Sequence, residues 1–127
     1  MKIIVNNSSM VPIYEQIVEK LEKLIVCGAL ESNTRMPSVR SLAMELSVNP
    51  NTIQRAYAQL EQDGYLYTIV GRGNYVTCEA EWKKGRVQTV VNAFTEVLNK
   101  ARETRVPRVE LLALFDRIYP EKEGDNT

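Results

Sequence analysis

Residues 48–60, VNPNTIQRAYAQL, combine side chains that can hydrogen-bond DNA bases with an absence of negative charge. Asn51, Gln54 and Arg55 offer two amides and a guanidinium, the groups that pair bidentately with adenine and guanine in the major groove. Thr52 adds a hydroxyl, and no acidic residue that would repel phosphates occurs from residue 46 to residue 60. These residue types favour DNA recognition. The alternative is a polar helix face that is simply solvated.

The apolar spacing of residues 50–63 predicts the helix that must carry this face. Asn49 is suited to cap its start, Pro50 to occupy its first position and Gly64 to close it. The residues expected on its inner side are Ile53, Ala56, Tyr57 and Leu60.

Two more helices and a hairpin are predicted around that helix. Apolar residues at spacings of three and four after Pro12 predict a first helix, and Ser38 is suited to cap a second helix over 38–46. Residues 29–37 are interpreted as a loop. After Gly64 the period changes to two, and YLYTIV and NYVTC, separated by a glycine turn, predict a β-hairpin. This order predicts a winged helix-turn-helix domain over residues 1–78.

The start of the second helix is a further candidate contact with DNA. Arg40 lies in the first turn after Ser38, where a cation opposes the helix dipole and calls for a compensating anion. A DNA phosphate would supply that anion. The alternative is a surface ion pair with Glu45 or Asp63.

The predicted hairpin tip, Gly71-Arg72-Gly73, is a weaker candidate. Two glycines allow the tip to lie against a DNA backbone, and a narrow minor groove attracts an arginine such as Arg72. The alternative is an ordinary hairpin turn with a solvated arginine.

Residues 79–127 predict two amphipathic helices, the second beginning at Pro107. So short a segment cannot bury both apolar faces by itself, so it must pack on the winged helix or on another chain. DNA readers of this type usually dimerise, which favours a helical dimerisation domain over a completed monomeric core. The residues expected at the dimer interface are Trp82, Val87, Val91, Phe94, Leu98, Leu111, Leu112, Phe115, Ile118 and Tyr119. The predicted fold class is mainly α (α+β).

The distribution of charge matters more than its sum. The formal net charge of the 127 residues is zero, which by itself argues against a nucleic-acid binder. Residues 32–78, however, contain four arginines, and their three acidic residues lie at or beyond the ends of the acid-free stretch. The arginines are Arg35, Arg40, Arg55 and Arg72. A local positive field can therefore exist on a neutral protein.

Other functional classes find little support in the composition. The chain has no histidine, no clustered carboxylates and no phosphate-binding loop, so the sequence predicts neither an enzyme nor a metal or cofactor site. No apolar run could span a bilayer and no secretory signal is visible, which predicts a cytoplasmic protein without membrane contact. Cys27 and Cys78 are expected to stay reduced and to fill small apolar gaps.

Four segments together resemble the GntR family of bacterial transcription regulators: PIYEQI at 12–17, RMPSVRSLAMEL at 35–46, SVNPNTIQRAYAQLEQDGYL at 47–66 and GRGNYV at 71–76. VNPNT followed by RAY, with a short helical tail, is similar to the YtrA-type subfamily. The resemblance covers about residues 10–78. It implies a homodimer paired through its C-terminal helices, commonly a repressor, and often a repressor of an operon that encodes a membrane transporter.

The resemblance also implies which residues contact DNA. These are Ser38 and Arg40 near the second helix, Asn49, Asn51, Thr52 and Arg55 in the recognition helix, Tyr57 at a phosphate, and Arg72 with Gly73 at the wing tip. The family often has basic residues just before the wing glycine, where this chain has Ile69 and Val70. That departure lowers the positive charge of the wing.

The function predicted from these observations is sequence-specific regulation of transcription by a homodimeric repressor that reads a palindromic operator in double-stranded DNA. About 49 residues follow Cys78, too few for a large sensing domain, which leaves room only for a small effector at the dimer interface or between the two parts. The alternative is a winged helix used for protein assembly, with incidental DNA binding. Zero net charge and the apolar wing flank favour that alternative.

Overall fold

The computed structural model describes residues 3–122, and it contains five helices and one antiparallel hairpin. In chain order these are α1 (Ile13–Val26), α2 (Val39–Leu46), α3 (Pro50–Gln62), β1 (Leu66–Ile69), β2 (Gly73–Val76), α4 (Glu79–Glu103) and α5 (Arg108–Ile118). The predicted winged helix-turn-helix followed by two helices is confirmed. The chain divides into two compact units, the first ending at Thr89 and the second beginning at Val90.

The core of the first unit is built from the apolar stripes of its three short helices. Ile17 and Leu21 of α1, Leu42 of α2 and Ile53 of α3 are completely buried. Full burial of one such side chain contributes about 1.5–3 kcal/mol to folding. The helical spacing of these residues therefore fixes which side of each helix faces inward and which side stays available.

A tight turn joins α2 to α3. Ser47 adopts a left-handed conformation with φ 56°, and the Val48 N–H donates to the Ala43 carbonyl at 3.0 Å. Immediately afterwards, Asn49 Oδ1 accepts a hydrogen bond from the Asn51 N–H at 2.8 Å and so caps α3. The turn thereby ends one helix and begins the next within three residues.

The wing has one more backbone partner than the sequence predicted. β1 pairs antiparallel with β2, with Leu66 opposite Val76. Residues 33–36, interpreted from the sequence as a loop, lie along β2, where the Met36 N–H donates to the Asn74 carbonyl at 2.8 Å. These bonds attach the wing directly to the segment that leads into α2.

The first unit extends past the predicted division at residue 78. Trp82, in the first turns of α4, is only 4% exposed, and its ring centroid lies 6.0 Å from that of Tyr65. The start of α4 therefore belongs to the core of the winged helix, because burial of the indole anchors it there.

The second unit is a helical hairpin made by the end of α4 and by α5. Its turn includes Arg105 at φ 61°, and the Val106 N–H donates to the Ala101 carbonyl at 2.9 Å. Phe94 and Phe115 face each other with ring centroids 6.3 Å apart. Nowhere in residues 3–122 is a helix both long enough and apolar enough to cross a membrane.

Both cysteines are free thiols. Cys78 is half-buried, whereas Cys27 is exposed and its Sγ donates to the Leu24 carbonyl at 3.6 Å. The prediction that Cys27 fills an apolar gap is wrong, because the residue caps the solvent-facing end of α1.

Candidate nucleic-acid interface

The outer face of α3 presents the polar residues singled out from the sequence. Asn51, Gln54 and Arg55 are exposed, and Thr52 is partly exposed. The first turn of α3 contains no acidic residue. The partial positive charge and free N–H groups of the helix N-terminus add to the attraction for phosphate.

Burial on the opposite side keeps α3 in place. Ile53, Ala56 and Leu60 have no exposed surface, and they pack α3 against α1 and α2. The reading face is therefore carried by a rigid element, so the spacing of its polar groups is fixed before any partner binds.

Arg55 is not simply solvated. Its guanidinium carbon lies 3.8 Å from the centroid of the Tyr14 ring, in the first turn of α1. The pair borders a surface depression of about 260 Å³ that is lined by Ile13, Tyr14, Asn51, Thr52 and Arg55. Sequence reasoning missed Tyr14, since its distance from Arg55 along the chain gives no sign of the contact. Only the packing of α1 on α3 shows it.

The start of α2 has the cap that the sequence predicted. Ser38 Oγ accepts a hydrogen bond from the Ser41 N–H at 3.0 Å, and Arg40 beside it is exposed. Asp63, one of the two acids considered as a partner for Arg40, accepts a hydrogen bond from Gln59 Nε2 at 3.1 Å. Arg40 lies in a helix turn without acidic residues.

The wing tip carries an exposed arginine and an exposed apolar residue. Arg72 is exposed, and Val70 beside it is 94% exposed. Gly73 has φ 114°, and a Cβ there would lie 3.3 Å from Arg35 Nε. Because Gly73 has no side chain, the Arg35 side chain can lie against the wing. Arg35 therefore adds a positive charge to the wing tip, a position that the sequence did not predict for it. Gly71, with φ 81°, forms the turn itself.

Tyr57 cannot serve as the predicted phosphate contact. It is 1% exposed, and its hydroxyl donates to the Pro37 carbonyl at 2.8 Å. Burial, and next the nearby charge of Glu45, raise the pKa of the Tyr57 phenol far above its ordinary value. The prediction is wrong, because Tyr57 lies on the inner face of α3. Its hydroxyl instead ties α3 to the segment that leads into α2.

The residues predicted for a dimer interface differ in their exposure. Trp82 is buried beside Tyr65, so its assignment to an interface is wrong. Leu111 is partly buried. The others are exposed large apolar side chains on α4, on α5 or just beyond it: Val87, Val91, Phe94, Leu98, Leu112, Phe115, Ile118 and Tyr119.

Glu22 and Tyr65, in the first unit, have pKa values above their ordinary values. Burial, followed by the charge of Asp63, raises the pKa of Glu22 above its ordinary value, although a hydrogen bond from the Tyr65 hydroxyl opposes the rise. Burial is also the main cause that raises the pKa of Tyr65. Over the described residues, no three side chains of the types that bind metals come together as a site.

Residues 13–76 match the sequence profile of the GntR family, described as bacterial regulatory proteins. Two relatives come from Bacillus subtilis. The transcriptional repressor YtrA is 41% identical over 73 residues, which are 58% of this chain and 56% of YtrA. The uncharacterised regulator YhcF is 32% identical over 108 residues, which are 82% of this chain and 89% of YhcF. The chain thus spans little more than half the length of YtrA but most of YhcF.

Two solved structures share the fold. YtrA from Sulfolobus acidocaldarius, a GntR-family transcription factor, superposes with a TM-score of 0.56 at 31% identity, covering 72% of this chain and 95% of that one. The DNA-binding domain of AraR in complex with operator ORR3 superposes with a TM-score of 0.52 at 26% identity, covering 61% of this chain and 93% of that one. The profile match over half of the chain and the alignment with nearly all of YhcF show that the chain belongs to the GntR family of bacterial regulatory proteins.

Proposed function

We propose that the chain regulates transcription by binding a specific DNA sequence, with α3 as its reading helix. The observation that carries this proposal is the exposed, acid-free face of Asn51, Gln54 and Arg55. Amides and a guanidinium in the major groove discriminate base pairs, whereas a face made only for solubility needs no such selection. The AraR domain bound to its operator supports the proposal, because it has the same fold.

Pairing of two copies is the second part of the proposal. The second unit, from Val90 onward, leaves Phe94, Phe115 and Ile118 exposed. Apolar side chains clustered on so small a helical hairpin favour an interface. A two-fold dimer would place two copies of α3 over half-sites one turn of DNA apart, or a multiple of it, which makes the expected operator a palindrome.

The expected direction of regulation is repression, since the relative YtrA is named a repressor. The kind of operon, one that encodes a membrane transporter, rests on the family resemblance alone. A small-molecule effector likewise stays a prediction from the sequence.

The test is a selection of bound fragments from a pool of random duplex DNA, followed by footprinting of the enriched sequence. The expected result is one enriched motif with two-fold symmetry. The control protein carries Asn51→Ala, Gln54→Ala and Arg55→Ala together. Since all three side chains are exposed, the control should remain folded but enrich no motif. Failure of the unaltered protein to enrich any motif would refute the proposal.

The competing function is protein assembly through the winged helix. Val70, 94% exposed at the wing tip, and the exposed Ile69 favour this candidate, because apolar wing residues add nothing to phosphate binding. The salt dependence of DNA affinity separates the two functions. A DNA reader loses affinity with a logarithmic slope of about −0.9 for each phosphate that it neutralises. An assembly module would bind DNA weakly at every salt concentration.

A further inference from the structure

In the absence of DNA, the Tyr14 ring contacts the guanidinium of Arg55 in α3. The Arg55 guanidinium carbon is 3.8 Å from the ring centroid, a distance at which a cation contacts the π face directly. The five N–H donors of an arginine point outward in its plane, so contact through the face leaves donors for a base or a phosphate.

Tyr14 is itself held in place by its surroundings. Ile17, one turn along α1, is completely buried, and Ile13 packs against the same core. The buried side chain of Gln16 fixes the chain before α1, since its Nε2 donates to the Asn6 and Val11 carbonyls, both at 2.9 Å. The backbone that carries Tyr14 therefore has little freedom, and its ring can act as a fixed platform.

We propose that Tyr14 is a positioning residue for Arg55: its ring orders the guanidinium over the depression beside Asn51 and Thr52 before DNA arrives. This inference rests on the proposed DNA-binding function and names a specificity residue within it. An arginine that is already ordered loses less rotamer freedom when it binds. Tyr14 thereby acts on DNA through Arg55, and its hydroxyl is dispensable.

The experiment measures the affinity of the full chain for its selected operator duplex by fluorescence anisotropy at fixed salt. Tyr14→Leu removes the aromatic face, whereas Tyr14→Phe keeps it and removes only the hydroxyl. Tyr14→Leu should weaken binding about two- to five-fold, the range typical of a lost exposed cation–π contact, while Tyr14→Phe should bind like the unaltered protein. In an Arg55→Ala background, Tyr14→Leu should have no further effect.

Two results would overturn the positioning role while leaving the proposed function intact. One is an unaltered operator affinity for Tyr14→Leu. The other is an equal loss in the presence and absence of Arg55, which would mean that Tyr14 contacts DNA itself or supports the fold. If the unaltered protein selects no DNA sequence, the proposed function and this inference both fail.

A second measurement needs no DNA. In the NMR spectrum of the free protein, the Arg55 Nε–H resonance should carry a ring-current shift that persists in Tyr14→Phe and disappears in Tyr14→Leu. Thermal unfolding of the three proteins checks that each is folded. Absence of the shift in the unaltered protein would show that the two side chains are not in contact in solution, and would overturn the inference.

Discussion

Arg55 and Arg40 are both exposed arginines, but they differ in what they can touch. Arg55 projects from the reading face of α3, whereas Arg40 lies at the start of α2, where DNA phosphates are expected. Arg55→Ala should cost about 1–3 kcal/mol of operator affinity and relax the preference for one base. Arg40→Ala should weaken all sequences alike and reduce the salt slope by about 1. Competition binding against single-base operator variants at several salt concentrations measures both effects.

Lys23→Ala is the control for this pair, since it removes an exposed cation from the last turn of α1. It should change neither base preference nor the salt slope. If Arg55→Ala weakens binding to every operator variant equally, Arg55 contacts phosphate. Base reading would then have to be done by the other exposed side chains of α3.

Glu22 gives a pH dependence of stability with a defined sign. Burial and the charge of Asp63 raise its pKa in the folded protein above the ordinary value of 4.5. The protonated form is therefore favoured by folding, and this stabilisation is complete below the unfolded-state pKa and is lost as the pH rises through the folded-state pKa. Glu22→Gln, which stays neutral, should raise Tm at pH 7 and lose that advantage toward pH 4. Thermal scans across this pH range test it.

The matched control for Glu22 is Glu31→Gln, which neutralises an exposed carboxylate outside the helices. It should leave the pH profile of Tm unchanged. A Glu22→Gln protein with lower Tm at pH 7 would show that the hydrogen bond with Tyr65 outweighs the cost of burying the charge.

At the scale of the elements, the side-chain cap of α2 should make a measurable contribution to the free energy of unfolding. Ser38 Oγ accepts the Ser41 N–H, which would otherwise lack a partner inside the helix. Ser38→Ala should lower the free energy of unfolding by about 1 kcal/mol, a typical value for a lost N-cap. Ser41→Ala, one turn into the same helix, should change it by less than about 0.5 kcal/mol. Urea denaturation without DNA compares them, and equal losses would contradict the capping role.

The sequence predicted every helix and the hairpin because a local residue pattern indicates each of them. Apolar spacing marks the helices, and a cap or a glycine stop marks several of their boundaries, as with Asn49 and Pro50 at the start of α3. Residues 33–36 were missed as a partner of β2 because their sequence, NTRM, has no alternating pattern. Their hydrogen bonds are made to residues some 40 positions away, a distance that local patterns do not encode.

The candidate site was predictable only where helix geometry decides the outcome. The spacing that places Ile53 and Ala56 inside also places Tyr57 inside, so helical periodicity was right and the role taken from family resemblance was wrong. Trp82 shows what helical periodicity does not predict. An amphipathic pattern reveals that a side chain will be covered, but not by which part of the molecule, and here Tyr65 covers it.

At the scale of the whole molecule, self-association should depend on the exposed apolar face of the second unit. Phe115 is 47% exposed and lies between Phe94 and Tyr119, with ring centroids 6.3 and 6.1 Å away. Phe115→Glu should weaken the dimer at least about tenfold, because it places a charge at an aromatic anchor. Analytical ultracentrifugation measures the dissociation constant. The variant should also lose affinity for the complete palindrome but not for a half-site.

Arg117→Glu introduces the same side chain two residues away at a polar position of α5 and should leave the dimer intact. Circular dichroism of both variants checks that the helices persist. If the unaltered protein sediments as a monomer at micromolar concentration, pairing through this face is refuted.

The concentration of arginines on a chain of zero net charge has a consequence for how the protein finds its target. At physiological salt the field of a charge fades within about 8 Å. Beyond that range, opposite charges elsewhere on the surface cancel the pull of the reading face. Long-range attraction to random DNA is therefore expected to be weak, and discrimination should depend on the contacts that form once the reading face touches DNA.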